Sequence, residues 1–419
     1  MIRALTQLHG SASVAIDEAN AEVVRRLDTG VPVLVDAAVA SEVIPGLEGR
    51  MLLHAGPPID YADVCDPLKR SMRAAVVAEG WADNVVTAET YLSSGEVQLD
   101  AANDHNTVVP MATALGPTTP VWVVKNGDVT AFSPINQGPG DVAWFGRESE
   151  HAIERLNFLR DVVRPRFSTI LQQTGPLDIM SFAAQGVQMG DDVHLRTQAT
   201  TNLLIRTLLP HLVALGNDPE TVAMAEFLGN SHLFFLTIAM AGAKSLTLSA
   251  ESVRGSTMIT TMARNGTTFG VKVAGSQEWH ICDAPPVADA LYYSGYTEVD
   301  AALDIGDSAV LELVGLGGAA AAASPAVAGF LGGSMADAAR ATEEMREICL
   351  GTSSRFKLPP LDFSGSPLGV DVRRVVETGI RPKVTTGILH VSSGAGQIGA
   401  GVATAPVEGF RDVLLRLAG

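Results

Sequence analysis

The chain has 419 residues, 47% of them hydrophobic and only 18% charged, which excludes a disordered chain and leads us to expect two or three domains. A net charge of −17 provides no basic face for nucleic acid or an anionic membrane, although a small anionic substrate needs only a local group of cations and N–H donors. Cys65, Cys282 and Cys349 lie far apart with no CxxC pair, which suits a reducing cytoplasm and suggests neither a disulfide framework nor a metal site.

In chain order, MIRALTQLHGSASVAIDEAN lacks the apolar stretch of a signal peptide. The next stretch, ANAEVVRRLDTG, reads as an amphipathic helix ended by Gly30, and VPVLVDAAV as a buried strand. RMLLHAGPP runs from a strand into a turn, and Asp66-Pro67 supplies an N-cap and a first-turn proline for a helix through LKRSMRAAVVAEGWA. PVWVVKNGDVTAFSP reads as a hairpin turning at Asn126-Gly127. Residues 1–150 therefore form an α/β region.

Residues 151–252 read as wholly helical. Ile153, Leu156, Leu159, Val163, Phe167 and Ile170 recur at helical spacing, with Pro165 as a kink or break. A second helix runs from Leu203 to Leu215, Asp218-Pro219 opens a third, and Ser231 is expected to cap an apolar helix over 232–249. Neither that apolar tract nor the Ala/Gly run 317–333 reaches the roughly 20 residues of a membrane span.

Residues 253–419 return to mixed structure. ARNGTTFGVKVAG is a turn into a strand, SAVLELVGLGG a strand entering a glycine turn, and SMADAARATEEMREICLG a capped helix. The last 50 residues are strand-like runs between glycine turns. The expected architecture is thus mixed α/β (α+β) in three parts: 1–150, 151–252 and 253–419.

Six segments together resemble one family: LLHAGPPI (52–59), EGWA (79–82), AAQGVQMGDDVH (183–194), MARNGTTFGVKVAG (262–275), IGDSAVLELVGLGGAA (305–320) and RRVVETGIRPKVTTGILHVSSGAGQIGAG (373–401). Their order and spacing are similar to those of the AllG-like (YlbE/YahG-like) family, whose best-understood members are subunits of oxamate carbamoyltransferase. The resemblance implies a cytoplasmic transferase subunit in nitrogen metabolism, moving a carbamoyl group between phosphate and the amide nitrogen of oxamate. It also implies partner subunits, one of them resembling the CoA-ligase-like FdrA protein. A homo-oligomer is expected, and no cofactor. Two other readings stay open: a stand-alone hydrolase, amide synthase or lyase acting on a ureido or acyl-amide compound, and a non-catalytic scaffold subunit.

Two segments depart from the family pattern. Where family members carry His-His-x-Asn-Ala-Val-Gly-Pro-Met-Gly-Gly, this chain has Asn103-Asp104-His105-Asn106-Thr107-Val108-Val109-Pro110-Met111-Ala112-Thr113, and a Glu between Asn and Gly becomes Gln137. These changes remove groups able to transfer protons or bind metal, so either the substrate differs here or those positions are not catalytic.

Carbamoyl phosphate and oxamate are anions, so their site needs fixed cations and N–H donors. Arg373, Arg374, Arg381 and Lys383 beside the glycines of 394–401 read either as an anion cradle or as a basic surface patch with a helix cap. Arg264 and Asn265 read as a carboxylate fork with a carbonyl-orienting amide, or as a plain hairpin turn. His54, where a strand ends, is a candidate acid–base group or a hydrogen-bonded structural histidine. Asp307 and Glu377 are candidate catalytic carboxylates, and Glu312 a candidate partner for a ureido N–H. His105 joins the catalytic candidates; Asn106, Asn136, Gly138 and Gln397 join the substrate-binding ones. Asp191 reads as a helix cap sharing a face with His194, whose role stays open.

Overall fold

The computed structural model describes residues 13–418; the beginning of the N-terminal segment read for a signal peptide lies outside the described residues. The fold is mixed α/β, with helices packed, among the described residues, around five small sheets.

The first described helix spans Ser13–Thr29. Ile16, Asn20, Val23 and Leu27 are its buried positions, a spacing of three to four that turns one face inward. The strands of the first region are β1 (Val33–Val39), β2 (Met51–His54), β3 (Gln98–Ala101), β4 (Ala114–Leu115), β5 (Pro120–Asn126) and β6 (Val129–Pro134). As expected, β5 and β6 form a hairpin across Asn126-Gly127, where Gly127 takes φ +58°. β5 also pairs antiparallel with β1. β2 runs parallel to β3 and ends at His54, and Gly56 at φ +82° turns the chain. The following helix spans Asp66–Ala78, so Asp66 is a first-turn residue and Cys65 holds the cap position. Asp66 instead accepts a hydrogen bond from Arg70 Nε one turn on, at 2.7 Å.

The middle block is helical apart from β7 (Leu177–Asp178), which adds two residues to the far side of β1. Pro165 acts as a local defect within a continuing helix. With no N–H to bond one turn back, it leaves residues 159–163 in a π turn between helices Glu150–Phe158 and Arg164–Thr174. Asp218 caps its helix as expected, accepting from the Glu220 and Thr221 amides at 3.1 Å each. Ser231 does not cap the apolar helix. That helix starts at Phe235, and Ser231 Oγ donates to the Phe227 carbonyl at the end of the preceding one. Helix Phe235–Glu251 is buried along most of its length. Trp122 Nε1 of β5 donates to its Thr237 at 3.0 Å, and Trp122 packs on Phe167 and Phe234.

The last region contains β8 (Ile259–Asn265), β9 (Thr268–Val273), β10 (His280–Asp283), β11 (Asp289–Tyr292), β12 (Ile305–Gly306), β13 (Cys349–Leu358), β14 (Ser364–Val370), β15 (Lys383–Leu389) and β16 (Gln397–Thr404). β8 and β9 turn at Asn265-Gly266, β13 pairs with β14, and β16 lies between β11 and β15. The segment expected as a strand, SAVLELVGLGG, is instead the short helix Val310–Leu313 followed by the 3-10 run Gly317–Ala323, all buried. The continuous apolar run suits burial in either form. Its period does not separate a buried strand from a buried helical turn, and small Gly and Ala residues pack closely in either.

The largest apolar cluster draws Val23, Trp122, Phe167, Met240, Leu316 and Leu389 into one core spanning all three blocks. Among the described residues, no single helix is long and apolar enough to cross a membrane.

Candidate functional site

A cleft of about 660 Å³ opens where the three blocks meet, walled by Gly138, Trp144, Arg196, His232, Tyr292 and Gln397 among others. Its inner end is a chamber of about 40 Å³ that shares Trp144, Phe145, Leu195, Leu233 and Gln397 with the outer part. The chamber adds His194, Ser308, Thr386 and Met111. The lining is largely apolar with a few polar side chains set among it, the usual build of a small-molecule site.

His194 sits in the connection between helices Ile179–Gln188 and Gln198–Leu215, which is not helical; Val193 there takes φ +60°. Asp191 and His194 therefore do not share a helix face. Asp191 Oδ2 accepts from the Thr200 amide and hydroxyl at 2.8 and 2.7 Å, serving the next helix from outside it. Asp192 accepts from the Leu195 and Arg196 amides and from Thr385 Oγ1, and burial raises its pKa. These bonds hold the loop and direct His194 to a different partner.

That partner is Glu312, whose Oε1 lies 2.7 Å from His194 Nδ1; the side chains are 4% and 0% exposed. The same oxygen accepts the Gly318 and Thr385 amides, each at 3.1 Å. A carboxylate oxygen only accepts, so Nδ1 is the donor and Nε2 is the other face of the ring. Among the described residues Nε2 makes no hydrogen bond, and Glu312 Oε2 and the Trp144 indole N–H are buried without partners. Gly317 makes the close approach possible. At φ +56°, its missing Cβ leaves room for the Glu312 carboxylate, while its amide donates to Asp192 O at 2.7 Å.

Of the residues expected from sequence, Gly138, Gln397 and Glu312 belong to this site. Gly138 and Gln397 line the cleft, and Gln397 Nε2 donates to Gly399 O at 3.1 Å. Asn136 supports the wall, donating to Leu233 O and accepting the Gly138 amide, both at 2.8 Å. Gln137, one of the departures from the family pattern, accepts the Trp144 amide at 3.0 Å and so fixes that wall residue.

A second group gathers behind the chamber. Arg264 forks onto Asp304 at 2.7 and 3.1 Å and donates to Gly306 O at 2.6 Å; neither side chain is more than 1% exposed. Thr386, whose residue lines the chamber, donates to Asp304 Oδ1 at 2.9 Å. Asn265 stitches its own turn and donates to Pro57 O at 3.1 Å. Asp307 accepts the Gly56 and Val109 amides at 2.8 and 3.0 Å, and burial pushes its pKa up to about 7. His54 is fully buried, with Nδ1 donating to Ala55 O at 2.8 Å, and burial lowers its pKa. Arg264, Asn265, Asp307 and His54 thus lie outside the cleft lining, and Arg264 connects to the chamber through Asp304 and Thr386.

The altered segment divides. Asp104 pairs with Lys272 and accepts the Trp279 indole N–H, with the Lys272 ammonium 4.5 Å from the Trp279 ring centre. His105 bridges Pro45 O and Asp100, and Asn106 takes φ +56° at the end of a 3-10 turn. The segment meets the chamber further on, at Pro110 and Met111. Arg373, Arg374 and Glu377 line a separate open groove against Asp17 and Asn20. There Arg373 is held by Asp371 and Asp17, and Arg374 by Cys349 O. Arg373 and Arg374 therefore line a different groove from the one lined by Ala395 and Gln397, and Lys383 Nζ donates to Thr404 Oγ1 at 3.4 Å. Among the described residues no three His, Cys, Asp or Glu side chains form a metal-holding group.

The fold and cleft describe a mixed α/β protein with a buried imidazole–carboxylate pair at the end of a small-molecule-sized cavity. A family model for the oxamate carbamoyltransferase subunit AllG matches residues 97–308, and the chain belongs to this AllG family. It is 38% identical to the Escherichia coli (strain K12) oxamate carbamoyltransferase subunit AllG over 412 residues, 96% of this chain and 98% of that one. It is 34% identical to the uncharacterized protein YahG of the same organism, over 96% of this chain and 85% of that one. A crystal structure of a conserved protein of unknown function from Enterococcus faecalis V583 superposes with a TM-score of 0.94 at 35% identity, covering 97% and 98% of the two chains.

Proposed function

We propose that the chain is a subunit of a cytoplasmic carbamoyltransferase that moves a carbamoyl group between phosphate and the nitrogen of a small amide such as oxamate, together with partner subunits. The observation carrying this reading is the end-to-end match to a subunit named for that reaction. The cleft suits it physically. Its volume of about 660 Å³ is ample for a small amide acid. Arg196, which donates to Gly190 O at 2.6 Å and lies 3.7 Å from Asp191, keeps 37% of its side chain exposed and is a cation on the wall near an anionic group.

The test is an assay of the chain co-purified with its partner subunits, supplied with oxalurate and phosphate. Carbamoyl phosphate and oxamate are the expected products. Absence of carbamoyl phosphate across a panel of ureido acids overturns the reading. Turnover by the isolated chain without phosphate points instead to a hydrolase or lyase.

A further inference from the structure

We propose that His194 is the acid–base group of the transfer and that Glu312 is its positioning residue. This rests on the carbamoyltransferase reading and adds to it the side chain that moves the proton.

Four observations support the assignment. His194 lines the small chamber, and its Nδ1 is fixed by Glu312 at 2.7 Å, so Nε2 is the face free to react. Glu312 is itself held by two backbone amides from separate segments, Gly318 and Thr385. The glycine that admits its carboxylate holds φ +56°, a conformation unfavourable to other residues. Met111, Phe145 and Leu233 surround the chamber with apolar surface, while Ser308, Thr386 and Gln397 bring polar groups to it. Of the other described histidines, His232 lines the outer cleft with no carboxylate bonded to its ring, His54 is buried against Ala55 O, His105 is bonded through both nitrogens, and His280 pairs with an Asp412 that is 66% exposed.

The step balances with one proton. An oxygen of hydrogen phosphate attacks the carbamoyl carbon of oxalurate, forming the C–O bond, while the phosphate proton passes to Nε2. The C–N bond breaks with its electron pair going to the amide nitrogen, and Nε2–H returns the proton there, giving oxamate and carbamoyl phosphate. Reversal uses the same nitrogen in the opposite order.

The experiment compares the intact complex with His194→Gln, Glu312→Gln and His194→Ala complexes across pH. Wild type is expected to show a titration limb in kcat that His194→Gln lacks, with kcat down about 10²- to 10⁴-fold and KM changed far less. Added imidazole is expected to restore part of the His194→Ala rate. A His194→Gln complex with wild-type kcat and pH profile overturns the assignment alone; a wild-type complex with no transfer overturns the carbamoyl reading as well. If the His194 variants do not assemble, diethyl pyrocarbonate labelling of the wild-type complex decides. Slower modification of His194 with oxalurate and phosphate present supports the assignment, and unchanged modification overturns it.

Discussion

Asp307 ties three segments together, and the substitution Asp307→Asn should change how stability depends on pH more than stability itself. Its two oxygens each accept one backbone amide, from Gly56 and Val109, and its own amide donates to Val109 O at 2.9 Å. Burial raises its pKa from 3.8 to about 7, against the opposing pull of those amides and of Arg264. The folded state therefore keeps the Asp307 proton where the unfolded chain has lost it. This contribution is present in full below pH 3.8 and is lost as pH rises through about 7. Each pH unit in that window is worth about 1.4 kcal/mol, so about 3 kcal/mol disappears between pH 5 and pH 8. The side chain introduced by Asp307→Asn does not titrate. Its amide oxygen keeps one backbone donor and its NH₂ faces the other, a cost of about 1–3 kcal/mol. At pH 5 the variant should therefore be the less stable protein; by pH 8 it should match or exceed wild type. Urea denaturation of both proteins at the two pH values reads the difference, in which the other titrating groups cancel. A stability gap constant to within about 0.5 kcal/mol would refute burial as the dominant influence on Asp307.

Arg264→Met leaves the buried Asp304 carboxylate without its guanidinium partner and should cost about 3–5 kcal/mol by urea denaturation, with a loss under about 1 kcal/mol counting against the ion pair. Gly317→Ala puts a Cβ onto Glu312 Oε1 and 3.0 Å from His194 Nδ1, at φ +56°. It should lose about 1–2 kcal/mol from the backbone and about 1–3 kcal/mol more from overpacking, along with most transfer activity. Gly80→Ala, at φ +72° with open space around it, isolates the backbone part; equal losses in the two variants would dismiss the close-approach argument.

Much of the secondary structure could be read locally. Asp218 caps its helix, Asn126-Gly127 and Asn265-Gly266 make the turns their backbone chemistry favours, and Gly30 follows the end of the first helix. The errors came where neighbours outweighed local preference. Ser231 ends one helix rather than starting the next, and the 308–318 segment curls into buried turns under its neighbours. In the site, Glu312 and Gln397 were legible as polar residues beside glycine turns. His194 was visible as an isolated histidine after two aspartates, but its partner lies 118 residues away.

By itself, the sequence determined the family, the mixed α/β class and most element types, because periodicity, capping and motif order are properties of neighbouring residues. The tertiary structure decided which charges are available to a ligand. Arg264 and Arg373 read as anion-binding cations and Asp307 as a catalytic carboxylate, yet each is held by internal partners. His194 meets Glu312 only because the connection before helix Gln198–Leu215, the turn at Gly317 and strand β15 converge. A buried charge is stable only when paired, and the residues that pair it are chosen by packing between distant segments.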